Sequence, residues 1–270
     1  MIQRTKDLQG SAHPSGGTSM ALVSMKVEAR RLKRSGLLLA LIASFAFFGL
    51  SGPVLALFMP QILGAANENG QLTIEAATPT PDSALMMFSQ SAMQLGLIFA
   101  VAIAVTSMNW DARPGSSIFY RTRNKSLAIV LLPRLALDAV AVVAAYAVGA
   151  LCTAVLSAFT IGRIPADHVL RMTLAAALYL VMCMSIGLLI MSASRRTAAA
   201  IALSTVLVLV LPLAGFLPGA AAHVPSVLVN GASLDWAALL VPAIVAVAVT
   251  ALCLVGAVRI ASTRSLRRDA

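Results

Sequence analysis

The sequence predicts an all-α polytopic membrane protein with six transmembrane helices. Three observations lead there. Of 270 residues, 59% are hydrophobic and only 11% are charged, against roughly 25% charged in soluble domains. Six apolar runs approach or exceed the roughly 20 residues needed to cross hydrocarbon. They cover about 36–59, 85–108, 135–159, 169–193, 197–218 and 236–260. Finally, of the 20 basic residues all but Arg163 and Arg171 fall in segments that lie on one side of such a topology. The rule that cytoplasmic loops carry the Lys and Arg excess then places both termini in the cytoplasm.

The chain begins with a polar, Gly- and Ser-containing tail, 1–19, expected to be disordered. It lacks the short apolar core and cleavage site of a secretory signal. Residues 20–262 form one transmembrane domain, and 263–270 are a basic cytoplasmic tail. Before the first run, 20–35 read as an N-terminal amphipathic helix. Leu22, Val23 and Val27 supply a narrow apolar stripe. Lys26, Arg30, Arg31, Lys33 and Arg34 supply a basic face, with Glu28 among them. Such a helix lies in the membrane surface with its cations among anionic headgroups.

The first run contains Gly49-Leu50-Ser51-Gly52-Pro53. This has the form of an intramembrane serine protease motif, but that chemistry needs a facing base. His13, His168 and His223 are the only histidines and all lie outside the expected membrane core. Ser51 is therefore read as part of a Gly-Pro kink. In the second run Gln90 and Gln94 share one face, a turn apart. They are the candidate polar lining of a pathway, with interhelical hydrogen bonding as the plainer account.

Residues 109–134 are the longest polar, basic connection, and carry Asp111, Arg113, Gly115, Arg121, Arg123, Lys125 and Arg134. The apolar run from 126 to 159 is too long for one simple span. Its first part, to about 137, is placed near the cytoplasmic surface, where Arg134 and Asp138 can pair one turn apart. In the third span Ala145, Gly149 and Thr153 make a small-residue stripe beside Tyr146, a helix-packing signal. Between spans five and six, Pro212, Gly215, Pro218, Gly219, Pro225 and Gly231 rule out one straight helix. Outer re-entrant helices are expected there.

Composition and motifs also exclude functions. The net charge of +10 sits at the ends of apolar runs, as topology requires, so nucleic acid is not an expected partner. Cys152, Cys183 and Cys253 lack metal-site spacing, and no metal site is expected. The sequence contains no GxxxxGK[ST] loop, so ATP chemistry cannot be its own. No chain of intramembrane acids marks an ion-coupled route.

Taken together, these features resemble the membrane subunits of ABC-2 type transporters. The likeness covers about 20–262. It rests on the six spans with both ends inside, Glu28-Ala29-Arg30-Arg31-Leu32-Lys33-Arg34-Ser35 before span one, and Gly52-Pro53 within it. It also includes the connection running from Asp111 and Gly115 to Pro133-Arg134, and the outer fold-back. The connection reads Asp111-Ala-Arg-Pro-Gly-Ser where the family commonly has Glu and then Gly-Thr.

The resemblance implies a non-catalytic permease of a bacterial plasma or inner membrane exporter. It implies a second permease chain, identical or homologous, and separate ABC ATPase subunits that hold ATP and magnesium. No cofactor is expected on this chain. Asp111, Arg113, Gly115, Arg121, Arg123, Lys125 and Arg134 would then form the ATPase-coupling element, and membrane lipids would meet the amphipathic helix. The apolar spans suit an amphipathic or lipid-like cargo such as a drug, antibiotic or peptide. The rival readings are a stand-alone ion-coupled secondary transporter and an intramembrane protease or scaffold.

Overall fold

The computed structural model describes residues 16–68, 78–108, 127–216 and 223–266. Among these, regular structure is entirely helical. Helix α1 spans Gly16–Arg34, α2 Leu37–Glu68, α3 Pro81–Ser107, α4 Ala128–Thr160, α5 Ala166–Ser194, α6 Thr197–Val210 and α7 Trp236–Leu266. Two short 3₁₀ segments, Leu211–Phe216 and Pro225–Asn230, lie between α6 and α7. Six stretches are long and apolar enough to cross a membrane: Leu37–Ile62, Pro81–Ser107, Ala128–Thr160, Ala166–Ser194, Thr197–Ala214 and Trp236–Thr263.

These spans match the expected six, with shifts at their ends. The tail expected to be disordered through residue 19 is already helical from Gly16. The third span begins at Ala128 rather than near 135, and Pro133 lies inside it. Pro133 withholds the amide that would bond the Ile129 carbonyl, and the helix continues through that single loss. At 33 residues and 1.5 Å per residue, α4 is about 50 Å long. The hydrocarbon layer is about 30 Å thick, so the Arg134 end of α4 has room to extend into the interface.

The helix boundaries follow local chemistry. At the start of α3, Thr80 Oγ1 accepts from the Ser83 amide and Ser83 Oγ accepts from the Thr80 amide, with Pro81 next in line. This is the reciprocal cap that satisfies the first free amides. Gly36, at φ 69°, turns the chain from α1 into α2. The α5–α6 hairpin turns on Arg195, a non-glycine residue at φ 57°.

Helices α3 and α5 form the interior, with 61% and 67% of their most apolar windows buried, against 17% and 22% for α6 and α7. Leu85, Phe88, Leu180, Met182 and Leu188 lie at the centre of this core. α2 packs on both α3 and α4, and α7 packs mainly on α5.

Proline chemistry accounts for the α2–α4 contact. Pro53 has no N–H, so the Gly49 carbonyl loses its helical donor. Thr153 of α4 supplies one, donating to Gly49 O at 3.0 Å. The crossing is close because Gly49 faces Gly149 backbone to backbone. The expected small-residue stripe thus lies against α2, while Tyr146 fits between Phe45 and Phe88, with ring centres 5.6 and 5.2 Å away. Ser51 donates to the Phe48 carbonyl at 3.0 Å, as hydroxyls in apolar helices commonly do.

Candidate functional site

Two clusters of charged side chains lie at opposite ends of the bundle. The first joins α1 to the start of α4 and the end of α3. At 100° per residue, Ser24, Glu28, Arg31 and Leu32 share one face of α1. Ser24, Glu28 and Leu32 are buried, while Arg31 is partly exposed. The apolar residues of the expected stripe, Leu22, Val23 and Val27, are exposed, together with the basic Lys26, Arg30, Lys33 and Arg34. Apolar and basic residues share the open face, and the face turned to the protein is the polar one.

From α4, Arg134 and Asp138 project one turn apart into the same seam, 5% and 0% exposed. Arg31 Nε lies 2.6 Å from Glu28 Oε1, close but without the alignment of a hydrogen bond. Arg31 Nη2 reaches Asp138 Oδ2 at 4.0 Å and the Ile103 carbonyl of α3 at 3.5 Å. The Glu28 carboxyl also meets Asp138 and feels the charge of Arg134. Burial pushes the Glu28 carboxyl above the usual range, against the opposing pull of Arg31 and then Arg134. Ser107, at the end of α3, gives its hydroxyl proton to the Ala104 carbonyl at 2.8 Å.

This seam unites residues that the sequence placed in two separate sites. Glu28 and Arg31 come from the interfacial helix and Arg134 from the coupling set. Arg30, Lys33 and Arg34 stay on the open face. Asp111, Arg113, Gly115, Arg121, Arg123 and Lys125 lie outside the described residues. The seam nevertheless grips both flanks of that connection: α3, which leads into it, and α4, which follows it. Gln90 and Gln94 are exposed on α3, beside exposed Leu95 and Phe99. They open away from the single chain rather than into its core.

The second cluster lies at the other end. Arg171, 7% exposed, donates from Nη1 to the Leu234 carbonyl at 2.6 Å. Its Nε lies 2.9 Å from Asp167, and its Nη1 lies 3.6 Å from Asp235. Trp236 Nε1 donates to Asp167 at 3.2 Å. His168 and Asp82 meet at 2.9 Å, tying the starts of α5 and α3 together. Ser89 donates to the Val229 carbonyl at 2.7 Å. These contacts fasten the segment between α6 and α7 across the end of the bundle. They border a pocket of about 300 Å³ lined by Asp82, His168, Arg171 and Asp235. The described part of this fold-back is two short 3₁₀ helices.

Sequence reasoning missed both clusters. Glu28 and Asp138, like Asp82 and Asp235, are far apart in the chain, and no local spacing announces their meeting. One signal was present: Ser24, Glu28, Arg31 and Leu32 at helical spacing mark a polar face on a helix otherwise suited to a membrane surface. Among the described residues no group of His, Cys, Asp and Glu is arranged to hold a metal ion. No family model, curated protein or solved structure matches the chain.

Proposed function

We propose that this chain is the membrane-spanning permease subunit of an ATP-driven ABC exporter of the ABC-2 type. It would be a multi-pass protein of a bacterial cell membrane with both termini in the cytoplasm. The observation that carries this reading is the seam itself. A helix outside the spans is tied by Glu28 and Arg31 to Asp138 of α4 and to the α3 carbonyl of Ile103, the two helices that flank the basic connection 109–126. Motion imposed on that connection would reach α1 and two spans together.

The sequence lacks a phosphate-binding loop for ATP, so ATP and magnesium belong to a partner ATPase. Arg121, Arg123 and Lys125 meet acidic groups on it, in a helix-to-groove contact. Gln90 and Gln94 point out of the single chain, so any route they line is completed by a second permease chain. An amphipathic or lipid-like compound suits the apolar spans.

The test reverses Arg121 and Arg123 to Glu in full-length tagged protein. The expected result is loss of the co-purifying ATPase and of export at unchanged membrane abundance. Retention of both removes the docking role.

One observation favours a second reading, that of an ion-coupled carrier. Asp138 was expected to be the only acid near a span, yet Glu28 joins it in the buried seam. Export that follows a proton gradient, with no ATPase in the purified complex, would select that reading.

A further inference from the structure

The buried seam holds two acids whose surroundings do not suit two full negative charges. Asp138 is completely buried and Glu28 is 1% exposed. Neither Asp138 oxygen has a fully aligned hydrogen-bond donor among the described residues. Arg31, its nearest cation, stands off at 4.0 Å, beyond hydrogen-bonding range, and spends part of its donor capacity on the Ile103 carbonyl. The Ser107 hydroxyl, which reaches Asp138, also donates to the Ala104 carbonyl at 2.8 Å, so Asp138 has at most a shared donor in it. The Glu28 carboxyl also lies against Asp138, and the same Arg31 reaches both acids. Two carboxylates in contact repel strongly when both are ionised, and one proton between them turns repulsion into a short charged hydrogen bond. A buried acceptor without a donor is costly, which gives a second reason to keep the proton there.

We propose that Glu28 and Asp138 hold a single proton between them, and that this proton fastens α1 to the ends of α3 and α4. Among the described residues, the charged groups facing the pair are Arg31 from α1 and Arg134 from α4. α3 contributes the Ser107 hydroxyl and the Ile103 carbonyl, and the described α2 carries no titratable side chain at this end. With the proton in place the seam has one net negative charge from the acids against two guanidinium groups. Without it, two adjacent carboxylates face each other, and the proton has gone to water.

The sign of the pH effect follows. Docked α1 holds the proton more tightly than undocked α1, where an exposed Glu28 would return to about 4.3. Docking is therefore fully favoured below that value and is lost as pH rises through the higher docked value. The inference rests on the seam alone and holds under either transport reading.

Two measurements on the full chain test it. The first is infrared difference spectroscopy between native protein and the variants Glu28→Gln and Asp138→Asn. Native protein near neutral pH is expected to show a protonated carboxyl C=O band that both variants lack. The second follows α1 itself. Ser24 is buried on the docked face, so Ser24→Cys reports docking through its rate of maleimide labelling, with labelling of the parent chain subtracted. Between about pH 6 and about pH 10, labelling is expected to gain about tenfold or more over the same cysteine in Asp138→Asn protein. The Asn amide can donate to Glu28 permanently, so it imitates the protonated state and removes the pH response. Comparing the same cysteine in the two backgrounds cancels the thiol's own titration.

Absence of the carboxyl band from native protein overturns the proposal. So does an equal pH response in the Asp138→Asn background. Neither readout depends on an ATPase, so the proposal and the permease reading fail separately.

Discussion

Gly149→Ala tests the closest helix crossing in the protein. A Cβ there would lie 2.5 Å from the Phe45 carbonyl oxygen, 3.0 Å from its carbonyl carbon and 2.9 Å from Phe88 Cε2. Relaxed carbon contacts begin near about 3.5 Å, so α2 and α4 must part by about 0.5 Å or more. Overpacking of this kind costs about 1–3 kcal/mol. The same movement stretches the Thr153 hydrogen bond to Gly49, now 3.0 Å, and interhelical bonds in membranes contribute about 0.6 kcal/mol and up to about 1.7. Against this, Ala favours helix over Gly by about 1 kcal/mol. The net loss is about 1–3 kcal/mol, or about 2–12 °C in the melting temperature of a domain of this size. The assay is thermal unfolding of purified protein in one mild detergent, beside Gly256→Ala. At Gly256 the added carbon meets only Leu189 Cδ1 at 3.0 Å, a side-chain tip that can move aside, so that variant should melt at or slightly above native. If Gly149→Ala behaves like Gly256→Ala, α2 and α4 do not cross where the structure puts them.

Two further variants probe the ends of the bundle. Arg171→Ala removes the donor to the Leu234 carbonyl, and a charged hydrogen bond contributes about 1.5–3 kcal/mol. Asp167 and Asp235 are mostly exposed, so their pairing adds little. Amide exchange across 225–235 should accelerate about tenfold to a hundredfold, and unchanged exchange would mean that Arg171 does not fasten this segment. Arg195→Gly relieves a left-handed L-residue at the α5–α6 hairpin, a conformation that costs about 1–2 kcal/mol. Glycine's greater freedom in the unfolded chain returns about half of that, so the melt should rise by a few degrees, whereas a fall would show that the Arg195 side chain holds the turn.

The six spans were legible because membrane helices are specified by length and apolarity, and both are local properties. Helix α5 begins and ends within a few residues of its expected 169–193, and α6 starts at the expected Thr197. The surroundings of the first turns of α4 were less legible. Pro133, Arg134 and Asp138 read as signs of a surface segment, yet protein rather than lipid or water surrounds the two charges. The Gly49–Gly149 contact was half legible. The stripe of Ala145, Gly149 and Thr153 was visible, but its partner surface was not, and the part played by Pro53 appears only once Thr153 is seen to fill the hydrogen bond that Pro53 vacates.

The polar inward face of α1 runs against the pattern of helices in water-soluble proteins. In a soluble protein the apolar face of a helix turns toward the core, because burial removes it from water. Beside a bilayer that preference weakens, since lipid tails are as apolar as a core and polar groups gain most from protein contact. Leu22, Val23 and Val27 can therefore face the interface with Lys26 and Arg30, while Ser24, Glu28 and Arg31 turn inward. The inward face then has a strict requirement. A buried charge costs several kcal/mol unless it is paired, and beyond Arg31 of its own helix Glu28 meets Asp138 and Arg134 only when α1 lies against α4. Docking of α1 is accordingly conditional on the charge state and position of α4, which apolar packing would not make it. A helix held by hydrocarbon contacts would stay in place through small shifts of its neighbours. A helix held in good part by ionisable groups in one seam is sensitive to the displacement or titration of each, and the α4 pair lies within the first turns after the basic connection.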